Sequence, residues 1–180
     1  MIITGGVLRG RRLIVPAGWG TRPTPARVKE ALFSMLREHL SEARVLDLYA
    51  GTGSLAFEAL SRGAAEAVCV EAYPSTAALI RRSAEALGLS ERCAVIAARV
   101  ESTVGRLRGP FDLLFIDPPY ADDPLTALFG SLLAGGLLRE GAVIAYEHSA
   151  DRPTLALPPQ FELWRSKTWG RVGLHLFTRG

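Results

Sequence analysis

The chain has 180 residues, of which 48% are apolar and 22% charged, and it carries a net charge of +3. That is the size and composition of one ordinary globular domain with enough apolar material to bury a core. No apolar run is long enough to span a bilayer, and no charged-then-apolar leader opens the chain, so a soluble, cytoplasmic protein with no membrane partner is expected.

Met1 to Val15 alternates loosely, with Ile2-Ile3 and Leu13-Ile14-Val15 on either side of Gly5-Gly6 and Gly10. That pattern predicts a small hairpin or arm rather than a core element. Pro16 to Pro25, with three prolines and two glycines, predicts a loop or hinge. Arg27 to Leu40 predicts a helix, because Val28, Ala31, Leu32, Met35 and Leu36 recur on one face. Thr24 would cap it, with Pro25 in the first helical position.

From Arg44 onward strands and helices alternate. Strands are predicted over 45–49, 67–70, 93–97, 111–116 and 142–147, and helices over 54–62, 75–87, 101–107 and 125–133. Near-continuous apolar strands between helices imply a parallel sheet covered on both faces. The tail differs: 161–164 and 172–177 read as two strands joined by a turn at Trp169-Gly170, a hairpin added to the sheet edge. A single domain over 1–180 is expected, with an arm (1–20), a lead-in helix (21–40) and a core (41–180).

Charge is unevenly spread. Met1 to Lys29 contains Arg9, Arg11, Arg12, Arg22, Arg27 and Lys29 and no acidic residue. A solvated face is the plain alternative, but a polyanion would be drawn to such a segment through phosphate contacts. Cys69 and Cys93 lie inside apolar runs and read as buried free thiols. They are too few for a metal site, and His39, His148 and His175 show no ligand spacing.

Asp47-Leu48-Tyr49-Ala50-Gly51-Thr52-Gly53 ends the first predicted strand and opens a helix. Gly51 and Gly53 let the backbone turn tightly and approach a ligand, and Glu71 ends the second strand where ribose hydroxyls would meet it. With Ala56 the turn also satisfies a dinucleotide fingerprint. Charge separates the readings: a pyrophosphate at the helix N-terminus would be opposed by Asp47, whereas the ammonium and sulfonium of S-adenosylmethionine would be favoured. The plain alternative for Asp47 is a helix-capping carboxylate.

Asp117-Pro118-Pro119-Tyr120 follows the fourth predicted strand, at the sheet end where open α/β folds bind ligands. The prolines fix φ and remove two backbone donors, leaving carbonyls to accept. Asp117 and the Pro118 carbonyl would take both N–H bonds of an exocyclic base amine, whose lone pair is otherwise drawn into the ring. Tyr120 would stack on the base, worth about 1–3 kcal/mol. Such a base must be single-stranded or flipped out. An ordinary proline-rich turn is the plain alternative.

The chain resembles the bacterial 16S ribosomal RNA guanine-N2 methyltransferases of the RsmD type over essentially its whole length. The resemblance rests on Gly5-Gly6-Val7-Leu8-Arg9-Gly10-Arg11, the stretch from Arg22-Pro23-Thr24 to Phe33, Asp47 to Gly53, Glu58 to Ala64, and the Asp117 tetrapeptide. It implies a Rossmann-like methyltransferase fold with seven strands, the last antiparallel, preceded by an RNA-contacting hairpin. It further implies one guanine of 16S rRNA, within a 30S subunit or assembly intermediate, as the acceptor; a monomer is expected, since nothing in the sequence demands a dimer. Donor contacts would come from Thr24, Asp47, Ala50, Gly51, Thr52, Gly53, Glu71, Ala72 and Arg99, the last where relatives carry Asp or Asn. RNA contacts would come from Arg9, Arg11, Arg12, Arg22, Arg27, Lys167 and Arg171. Rival readings are an adenine-N6 methyltransferase of DNA or RNA, a protein glutamine methyltransferase, a nicotinamide dehydrogenase, and a non-catalytic ribosome-assembly factor on the same fold.

Overall fold

The computed structural model describes residues 1–16, 25–118, 125–151 and 157–180. In chain order the elements are α1 (Ala26–Met35), β1 (Arg44–Leu48), α2 (Ser54–Ser61), β2 (Glu66–Glu71), α3 (Pro74–Ala86) and β3 (Cys93–Ala97). They continue through α4 (Val100–Thr103), β4 (Phe111–Ile116), α5 (Leu125–Ala134), β5 (Leu138–Ser149), β6 (Phe161–Trp169) and β7 (Val172–Arg179). The seven strands form one sheet in the order β3-β2-β1-β4-β5-β7-β6. The first five run parallel, and β7 lies antiparallel between β5 and β6.

Alternation along the strands divides the core between the two sheet faces. Val45, Leu113, Phe115 and Val143 pack with Leu32 and Phe33 of α1, with Leu36 just after it, with α2, and with Ile80 and Ala84 of α3. Leu46, Leu48, Leu114, Ile116 and Ile144 pack with Val100 of α4 and with Leu125, Leu128, Phe129 and Leu132 of α5. Cys69 and Cys93 are buried free thiols with sulfurs 4.0 Å apart. Among the described residues no helix is long and apolar enough to cross a membrane.

Three expectations need correction. Helix α1 stops at Met35, with a short 3-10 turn over Arg37–His39 rather than continued α-helix, and Pro25 occupies the cap position. Strand β5 starts at Leu138, four residues early, because Leu138 pairs with Phe111 before a register shift restores the ladder at Val143. Strand β6 also runs on through Trp169 with a register shift between Leu163 and Arg165.

The N-terminal arm is more deeply seated than its sparse alternation suggests. Ile2 bridges Arg12, and the Ile3 and Leu13 side chains are buried in the core. The arm lies along α2: the Val7 N–H donates to the Ser61 carbonyl at 2.8 Å, and the Ser61 hydroxyl donates to the Gly5 carbonyl at 2.6 Å. Gly6 has φ +75°, and a Cβ there would sit 1.8 Å from the Ser61 carbonyl oxygen, so only glycine permits this approach.

Glu58 fixes the arm from beneath. Its side chain is fully buried, and it accepts from the Thr4 N–H at 2.9 Å, the Thr4 hydroxyl at 2.7 Å and Arg62 Nη2 at 2.8 Å. Lys29 Nζ lies 3.5 Å away and is itself 3% exposed, so this residue of the basic cluster does not face a polyanion. Burial lowers the Lys29 pKa against the pull of Glu58. Burial also pushes the Glu58 carboxyl up, but Thr4, Arg62 and Lys29 together hold it below its ordinary value. The opposed tendencies follow from partner number, since Glu58 draws on donors that Lys29 does not share. Glu58→Ala leaves the Lys29 ammonium buried without its counter-ion and should destabilise the fold by about 3–5 kcal/mol, read from urea unfolding.

Candidate active site

The order β2-β1-β4 sets three carboxylates side by side at the carboxyl edge of the sheet: Glu71, Asp47 and Asp117. Glu71 ends β2 and Asp117 directly follows β4, while Asp47 lies one residue before the end of β1, level with Cys69 and Phe115, so the sheet itself fixes their spacing. Asp47 is 2% exposed and Glu71 is 6% exposed, whereas Asp117 is open to solvent on one side.

The turn between β1 and α2 connects the first two. Tyr49, Gly51 and Gly53 all have positive φ, at 60°, 55° and 72°. For Tyr49 this left-handed geometry costs about 1–2 kcal/mol. The Gly53 N–H donates to the Ala50 carbonyl at 2.7 Å, and Gly53 stands at the cap position of α2. One Glu71 carboxylate oxygen accepts the Gly51 N–H at 2.8 Å and the other accepts the Tyr73 N–H at 2.9 Å. Each keeps further acceptor capacity for a hydroxyl donor.

Asp47 accepts the Ala56 N–H at 3.1 Å, so the capping role considered for it is real. One hydrogen bond does not offset its burial. Desolvation raises its pKa well above 3.8, and the charges of Asp117, Cys93 and Glu71 add to the rise. Desolvation also raises the Asp117 carboxyl from 3.8 to about 6. A cluster of this kind favours a cationic ligand and opposes an anionic one.

The remaining predicted residues separate into groups. Ala50, Thr52 and Ala72 lie in the turn or just past β2, beside the carboxylates. The Thr52 hydroxyl is 3.3 Å from the Met1 sulfur, which brings the start of the arm to the glycine turn. Arg99 points away: its side chain is 81% exposed and sits 4.0 Å from Glu101. Pro118 follows Asp117, while Thr24, Arg22, Pro119 and Tyr120 lie outside the described residues. Arg9, Arg11 and Arg12 are exposed on the arm, Arg27 is exposed on α1, and Lys167 and Arg171 are exposed on and just after β6. Among the described residues no group of three His, Cys, Asp or Glu is placed to hold a metal ion.

Two residues near the edge escaped the sequence reading. Tyr73, 62% exposed, presents a flat side chain beside Glu71, and its signal was an aromatic just beyond an acidic strand end. Ser54 opens α2 and receives a hydrogen bond from Lys29 at 3.1 Å, for which the sequence carries no local signal.

A family model described as conserved hypothetical protein 95 matches residues 1–178. Ribosomal RNA small subunit methyltransferase D of Haemophilus influenzae is 34% identical over 180 residues, covering 97% of this chain and 92% of the relative. The protein of the same name in Escherichia coli strain K12 is 33% identical over 177 residues, covering 98% and 89%. The solved structure of yhhF from Escherichia coli superposes with a TM-score of 0.91 at 31% identity, covering 99% of this chain and 97% of that one.

The raised carboxyl groups have a signature in stability. Between pH 3.8 and about 6 the native chain holds more protons than the unfolded chain, so their contribution to stability falls as pH rises through that window. Asp117→Asn removes one such titration. Its gain in melting temperature over the parent should be larger at pH 7 than at pH 4, and equal gains at both would contradict the raised value.

Proposed function

The chain belongs to the conserved hypothetical protein 95 family, and from that premise we propose an S-adenosylmethionine-dependent methyltransferase of small-subunit ribosomal RNA. The acceptor in this reading is the exocyclic N2 amine of one guanine in 16S rRNA, presented on a 30S subunit or an assembly intermediate to a monomeric enzyme in the cytoplasm. The observation that supports the reading most is the convergence of Asp47, Glu71 and Asp117 on one strand edge beside the glycine turn.

These residues fit the donor. Burial first, and the neighbouring charges after it, raise the Asp47 carboxyl; a ligand carrying ammonium and sulfonium charges would favour its ionised form, whereas a pyrophosphate would add to the repulsion. Glu71 retains lone pairs for ribose hydroxyls, and the turn over Ala50 to Gly53 offers a close backbone approach. Arg99, turned to Glu101, leaves the adenine to backbone groups after β3 and to the exposed face of Tyr73. When bound, S-adenosylmethionine supplies a methyl group already activated on a positive sulfur.

The chain's own work is then to prepare the amine. Asp117, ionised at neutral pH, accepts one N–H, and the Pro118 carbonyl accepts the other. Both bonds strengthen as positive charge develops on the nitrogen, which favours the transition state over the ground state. No base is required before attack, because the amine starts neutral. The extra proton leaves afterwards to the Asp117 carboxylate or to water.

Asp117→Ala should lower kcat by about a hundredfold or more while S-adenosylmethionine affinity, measured by titration calorimetry, stays near the parent value. Transfer by the parent should fall as pH drops through about 6, as Asp117 gains a proton and loses an acceptor. On the RNA side, reversing the charges of Arg9, Arg11 and Arg12 should reduce the slope of log affinity against log salt by about 2, at roughly 0.7 per lost phosphate contact. An unchanged slope would remove the arm from the interface.

A further inference from the structure

Lys29 is buried, yet its ammonium is placed with care. Nζ donates to the Ile2 carbonyl at 3.1 Å and to the Ser54 hydroxyl at 3.1 Å, and it lies 3.5 Å from Glu58. Ile2 belongs to the arm, Ser54 is the first residue of α2 after the glycine turn, and Glu58 holds Thr4 of the arm. Met1, one residue from Ile2, touches Thr52 within the turn itself.

Burying a lysine is a poor way to gain stability, because an apolar side chain of similar volume fills the space without desolvating a charge. What the ammonium provides instead is direction. Its contacts tie arm, turn and helix into one arrangement that an apolar residue would not specify.

We infer that Lys29 is a positioning residue that couples the two substrates: by fixing the RNA-binding arm against the helix that opens the donor turn, it makes RNA and S-adenosylmethionine bind cooperatively. The inference rests on the donor and RNA roles proposed above. Linkage makes the effect reciprocal, so RNA on the arm tightens the donor site by the factor by which the donor tightens RNA.

Equilibrium dialysis with labelled S-adenosylhomocysteine, which permits no turnover, measures this factor with and without saturating 30S subunits that carry unmethylated 16S rRNA. The parent should bind the nucleoside about 5- to 150-fold more tightly when RNA is present. Lys29→Met should bring the factor close to one while each ligand still binds alone, since Glu58 keeps Arg62 and Thr4. Lys29→Arg, which preserves donors to the same acceptors, should restore part of it. Ser54→Ala cuts one Lys29 contact without disturbing the ion pair, so it decides the matter if Lys29→Met does not fold, and its factor should also fall.

A parental factor retained in Lys29→Met, or in Ser54→Ala where Lys29→Met fails to fold, overturns the inference. So does a parent whose two ligands bind without influencing one another. A parent that binds no nucleoside, or no RNA, is a separate failure: it overturns the proposed function and the inference with it.

Discussion

Glu58 has no exposed side-chain surface, and donors from three parts of the chain meet on its two oxygens: the Thr4 N–H and hydroxyl, Arg62, and Lys29. An ionised carboxylate cannot be left in such a place unless its partners stay in register. The arm, α1 and α2 are therefore constrained together, not merely packed together. Arg62 carries the constraint outward, because its guanidinium also lies over the Phe33 ring of α1 at 5.1 Å. The path of the first sixteen residues over the helices follows from this one cluster.

The opposite condition holds at the sheet edge. There Asp47 is buried with a hydrogen bond from the Ala56 N–H and two acidic neighbours, and burial first, then those charges, raise its carboxyl. Tyr49 adds left-handed backbone strain in the same turn. Unfavourable groups held in place by surrounding structure are a recurrent property of binding sites. Here the buried strands β1, β2 and β4 supply the rigidity that keeps the carboxylates together.

Much of this was readable in the chain beforehand, for definite reasons. The parallel strands stood out because burial on both faces demands near-continuous apolar runs, and β3 and β4 fall on their predicted bounds. Asp47, Glu71 and Asp117 were legible in position because each is an acidic residue at or within one residue of the carboxyl end of such a run. What the sequence hid depends on distant contacts. Lys29 reads as part of a basic surface, and only its placement beside Glu58 of α2 reveals it as a counter-ion. Ile3 and Leu13 gave no core signal because glycine-rich flanks mask their shared inward face. The early start of β5 through Arg139 and Glu140 breaks apolar periodicity, and a register shift is what accommodates it.

The outermost strand shows a further economy. Among the described residues strand β6 is the last of the sheet, and its ladder groups on one side meet no other strand. Such edges invite a second molecule to add itself, with aggregation as the outcome. The irregular pairing between Leu163 and Arg165 bends this edge, and Arg165 and Lys167 place positive charge along it. Two approaching copies would meet like charge on a twisted rim, so Lys167, proposed to hold RNA, would together with Arg165 also oppose stacking of one copy upon another.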